Sequence, residues 1–104
     1  MLSFVNHKLH SGYLMSKRVL SNTQWRDLVS RLLKSEMSKR KLRYEDLSRA
    51  LAEEGVIQTA DNLRNKINRG ILGADLFVQL LVVLNVKSVE RQTLLEIMED
   101  LKGS

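Results

Sequence analysis

Between Thr59 and Gly70 the chain reads TADNLRNKINRG. Asn62, Asn65, Asn68, Arg64, Lys66, Arg69 and Asp61 crowd this stretch, and its only large apolar side chains are Leu63 and Ile67. These residue types suit nucleic acid. An Asn amide offers a paired donor and acceptor to the major-groove edge of adenine, and a guanidinium does the same for guanine. Arg and Lys beside them suit phosphate oxygens. The same composition also describes the solvated face of an ordinary surface helix.

Those side chains need a helix to present them. Thr59 can cap its start, Asp61 complements the positive end of its dipole, and Lys66 and Arg69 suit its last turn. Gly70 can take the left-handed conformation that closes a helix. Leu63 and Ile67 are four apart and form one narrow stripe for docking on a core. At about 3.6 residues per turn, Asp61, Asn62, Asn65, Asn68 and Arg69 fall on the opposite face, flanked by Arg64 and Lys66. The spacing therefore predicts a short helix over 59–69 with two anchors inside and a polar reading face outside.

The whole chain, 104 residues long, suits one all-α domain. It holds no cysteine and no proline, so thiolate chemistry, disulfides and a zinc knuckle are excluded. His7 and His10 stand without further histidines, and no metal or cofactor is expected. No Ser sits beside a plausible base and no Gly-rich loop follows a strand, so an enzyme with a small-molecule substrate is not expected. The longest apolar run, residues 76–86, contains Gln79 and Asn85 and is too short for a membrane span. No secretory segment is evident, which predicts a cytoplasmic protein, nucleoid-associated if it binds DNA. Charge is uneven: residues 1–43 hold ten Lys/Arg against two Asp/Glu, a basic front suited to nucleic acid.

Taken in order, residues 1–20 show no sustained period and read as a loose arm. Met15 resembles a second start, and Lys8, Lys17 and Arg18 are placed to lie along a phosphate backbone. Residues 21–104 form the domain, with 21–87 as its core and 88–104 as a C-terminal helix. A first helix over 22–40, capped by Ser21 or Asn22, shows Trp25, Leu28, Val29, Leu32, Leu33 and Met37 on one face. Glu36 falls inside that face, so it needs a cation, with Lys66 or Arg69 expected. A basic knot at 39–43 precedes a second helix over 44–54, with Leu47, Ala50 and Leu51 inward. Val56 or Ile57 plugs the core in the turn that follows. A fourth helix over 74–85 is apolar nearly all round, hence central, or core on one side and subunit contact on the other. Ser88 caps a fifth, striped by Leu94, Ile97, Met98 and Leu101.

A small helix, a Gly-containing turn and a polar short helix is a helix-turn-helix layout. The run from Leu32 to Val86, with LLKSEMSKRKLRYEDLSRAL, NLRNKINRG and ADLFVQLLVVLNV, resembles the lambda-repressor-like (Cro/repressor type) domain. It is similar also to a small bacterial and phage domain family with an NLRNKINRG-like core. The repressor-like resemblance implies five short helices, binding of double-stranded DNA through the third, and a two-fold homodimer. It places Arg43 and Tyr44 where such proteins touch phosphate or an outer base. The connection from Leu51 to Leu63 is longer than the usual tight turn of that fold. The expected regulator thus reads bases with Asn62, Asn65, Arg69 and Asp61. Arg64, Lys66, Lys41, Arg43 and Tyr44 meet phosphates, while Leu63, Ile67 and Glu36 are structural. The alternative is an antitoxin- or adaptor-like module that keeps the fold and binds protein instead.

Overall fold

The computed structural model describes residues 19–103, so the expectations for His7, His10, Lys8, Met15, Lys17 and Arg18 lie outside the described residues. Five helices follow one another: α1 (Asn22–Arg40), α2 (Tyr44–Glu53), α3 (Ala60–Arg69), α4 (Gly73–Val83) and α5 (Arg91–Lys102). Local chemistry sets most of their ends. Ser21 and Gln24 form a reciprocal capping box at α1, Ser21 Oγ accepting from the Gln24 N–H and Gln24 Oε1 from the Ser21 N–H. Lys41, at φ 56°, turns the chain out of α1 in the left-handed region.

The main core gathers one or more leucines from each of the first four helices. Leu33 and Met37 of α1 meet Leu47 and Leu51 of α2, Leu63 and Ile67 of α3, and Leu76, Leu80 and Leu84 of α4 and its cap. α3 packs against both α1 and α2, and α4 packs against α2. A second, smaller cluster joins Leu28 of α1 to Met98 and Leu101 of α5. Leu20 completes it, so the last residue of the expected arm is buried. α5 is further tied by the Gln24 side-chain amide, which donates to the Leu101 carbonyl at 3.1 Å. No helix among the described residues is long and apolar enough to cross a membrane.

Several expectations are corrected here. Trp25 is 46% exposed, because it stands at the edge of the α1 face and not at its centre. α4 is not covered all round: Leu76 and Leu80 are buried while Val78 and Val82 are exposed, since no helix packs on their side. It also ends at Val83, before Asn85 takes φ 58°. Val56 packs on the core and Ile57 points outward. α5 starts at Arg91 with Glu90 as its cap residue. Ser88 lies outside the helix and donates its hydroxyl to the Glu90 carboxylate instead.

Glu36 is buried, as its position demanded, but its partners are not on α3. Arg40 Nη1 reaches its carboxylate at 2.6 Å and Lys39 Nζ at 3.5 Å. Residues three and four ahead on the same helix are nearer than any residue of α3, so the pair closes locally. The Arg40 hydrogen bond holds the Glu36 carboxyl below its ordinary value of 4.5, against the opposing push of burial, and Lys39 adds to the lowering. A carboxyl depressed in the fold contributes stability that is present above its unfolded value and lost as pH falls through the folded one. Glu36→Gln should therefore destabilise the fold by about 1–2 kcal/mol near neutral pH. In thermal melts across pH, the gap from the parent should close as pH drops below 4.5. A gap that stays constant with pH would mean that the pair contributes nothing.

Candidate nucleic-acid interface

α3 is held at both ends. Thr59 Oγ1 accepts from the Asn62 N–H at 3.0 Å, and Gly70 closes the helix at φ 65°. There the Gly70 N–H donates to the Ile67 carbonyl and the Ile71 N–H to the Lys66 carbonyl, both at 3.1 Å. Gly70 has a second duty. A Cβ on it would stand 2.0 Å from the backbone oxygen of Arg26, so α3 meets α1 through bare backbone. Between these ends Leu63 and Ile67 have no exposed surface.

The opposite face is open. Asp61, Asn62, Asn65, Asn68 and Arg69 are all exposed. Asn65, Lys66, Arg69 and Ile71 line a shallow depression at the C-terminal half of this face. The amides and the Arg69 guanidinium thus share one surface with a concave edge, which suits contact with a groove wall.

The flanking cations differ from one another. Arg64 is half-buried and engaged. It lies 5.1 Å from the Tyr44 ring centre, pairs with Asp61 on its own helix, and stands 3.9 Å from Glu45. It therefore bridges α3 to the first turn of α2, and two carboxylates share its charge. Lys66 donates to Gln58 Oε1 at 3.2 Å, and the Gln58 carbonyl accepts from Ser48 Oγ at 2.6 Å. Gln58 so ties the long connection to both α2 and α3, which explains how a turn of this length stays fixed. Lys41 and Arg43 are exposed.

At the head of α2, the Arg43 N–H donates to Asp46 Oδ2 at 2.8 Å. That bond holds the Asp46 carboxyl below its ordinary value against the opposing push of desolvation, and the charges of Arg49 and Arg43 add to the lowering. The structure thus brings Tyr44, Glu45, Asp61 and Arg64 together and sets Asn62, Asn65, Asn68 and Arg69 on the open face. Glu36 belongs to the α1 side and takes no part. Arg26 and Arg49 were not singled out from the sequence. Arg26 abuts Gly70 at the end of α3, and Arg49 joins the Asp46 group at the start of α2. Only their spacing to those residues in the fold reveals them. Among the described residues no group of three His, Cys, Asp or Glu is placed to hold a metal ion.

Residues 25–89 match a protein family, described as a domain of unknown function (DUF6471). No curated protein and no solved structure matches the chain. The matched stretch runs from Trp25 past the end of α4 and contains the whole of the surface just described.

Gly70→Ala tests the clamp at the end of α3. A left-handed alanine costs about 1–3 kcal/mol by itself, and the backbone contact adds to that. The melting temperature is expected to fall sharply, and a melt like that of the parent would show that α3 does not lean on α1 at Gly70.

Proposed function

We propose that this chain, which belongs to the DUF6471 family, is a DNA-binding regulator of the lambda-repressor-like kind. α2 and α3 act as its helix-turn-helix, and a homodimer reads a short two-fold site. The observation that carries the reading is the division of α3. Leu63 and Ile67 are wholly buried, and every other polar side chain from Asp61 to Arg69 is exposed or at the flank. A helix anchored by two side chains, and rigid at both ends, can present amides without losing them to its own fold. Asn62, Asn65 and Arg69 then meet base edges, with Asp61 beside them. Lys41, Arg43, Tyr44 and Lys66 meet phosphates, and Arg64 does so by exchanging its carboxylate partners for a phosphate oxygen. Lys41 supports the same surface: a left-handed backbone position that favours glycine carries a lysine.

A second reading is a protein-interaction module. It is favoured by the exposure of Val78 and Val82 on α4, at 55% and 63%, which line one depression together with Leu51 and Val56. Salt separates the two readings, because phosphate neutralisation makes affinity fall steeply as salt rises, whereas apolar docking does not weaken in that way.

The test is fluorescence anisotropy with a duplex from the gene's own upstream region and a scrambled duplex, each at two salt concentrations. Salt-sensitive binding that prefers the native duplex is expected. Asn65→Ala should weaken the native duplex by about 1–3 kcal/mol and leave the scrambled one nearly unchanged. Equal losses on both duplexes would remove Asn65 as a reader. No binding at low salt would overturn the DNA reading altogether.

A further inference from the structure

The connection between α4 and α5 leaves a cleft against the C-terminal half of α1. Asn85, at φ 58°, turns the chain out of α4 in the left-handed region, and residues 86–90 then pass α1 without forming a helix. The space between them measures about 470 Å³, a size that suits a small organic molecule. Leu32, Val86 and Val89 give it apolar walls. Its charged side chains are Glu36, Lys39, Arg40, Lys87 and Glu90.

These charges divide into groups already engaged and groups left over. The Arg40 guanidinium is engaged on both arms: Nη1 donates to the Glu36 carboxylate at 2.6 Å and Nη2 to the Asn85 carbonyl at 3.4 Å. Glu90 accepts from the Ser88 hydroxyl at 2.9 Å. Lys39 reaches Glu36 only at 3.5 Å, and its side chain is 64% exposed. Lys87 is exposed, and neither its ammonium nor the Thr93 hydroxyl beside the cleft meets a partner among the described residues. Three cations therefore face two carboxylates, and the surplus charge sits on ammonium groups. Both carboxylates already have donors, so a cationic guest finds less here than an anionic one. The planar fork that would match a carboxylate is filled by Glu36, whereas a free ammonium is a compact point charge that suits phosphate.

We propose that this cleft binds a small phosphate monoester. Lys39 and Lys87 hold the phosphate, Thr93 donates to it, and Leu32, Val86 and Val89 lie against the organic part. This assignment is independent of what α3 binds. Phenyl phosphate is the probe, titrated calorimetrically into the full chain at a pH above about 7, where such an ester carries close to two charges. One saturable site is expected. Lys87→Ala should weaken it about tenfold, with an unchanged melting temperature, because that ammonium holds nothing in the fold. Lys39→Ala should weaken it similarly. Glu90→Gln, which removes a like charge from the cleft, should tighten it a few-fold. Absence of saturable binding would overturn the proposal, as would undiminished binding by a folded Lys87→Ala chain. Loss of binding in Arg69→Ala would overturn it too, because the ester would then sit on α3. Inorganic phosphate binding as tightly as phenyl phosphate would remove the role of the apolar walls, and phenylacetate doing so would overturn the choice of phosphate.

Discussion

The backbone contact between Gly70 and Arg26 governs how this domain presents α3. Helices usually meet through side chains, which hold their backbones 8–10 Å apart. Here the first residue past α3 touches the Arg26 carbonyl of α1 with nothing between them. That contact fixes where α3 ends and how it sits on α1. Ser30, one turn on from Arg26, is also small and buried, which keeps that side of α1 low. The contact explains why a ten-residue helix can be trusted to hold a surface. A helix that short is marginal in water. Burying Leu63 and Ile67 contributes about 1.5–3 kcal/mol each, and that tertiary gain outweighs the cost of starting the helix.

Around this clamp the domain sorts its charges by position. Charges that fall near the core find partners within one turn of their own helix, as Glu36 does with Arg40 and Lys39. Charges between helices make bridges, as Arg64 does from α3 to Tyr44 and Glu45 of α2. The amides on the outer face of α3 have no such ties to another helix. The result is a polar face whose support is already satisfied, so binding there need not dismantle the fold. Arg64 is the exception, and any role it has against an anion involves competition with its own carboxylates.

The family domain and its additions are also distinguishable by packing. The main core draws on α1 to α4 and lies within the matched residues, whereas Leu20 and α5 build a separate cluster on the back of α1. A core of nine buried side chains supports α2 and α3 without help from α5. The satellite cluster has only four buried members. Local opening is expected to begin there, where fewest apolar contacts would be lost.

The sequence by itself determined the helical class, the order of the elements, and the inward and outward faces of α3. Those features rest on local rules, namely periodicity, the Thr59 cap and the glycine at the helix end, which a single stretch of chain contains in full. It also marked Glu36 as buried, from its angle on α1 alone. Only the tertiary structure decided which cation meets Glu36, that Trp25, Val78 and Val82 stay exposed, and that Leu20 belongs to a core. An apolar side chain is equally suited to a core, a groove or an interface, and the choice depends on which helix arrives beside it. The same reason hid the double role of Gly70. Its left-handed turn was written in the local pattern, but the carbonyl lying 2.0 Å from where its side chain would begin belongs to a residue on another helix.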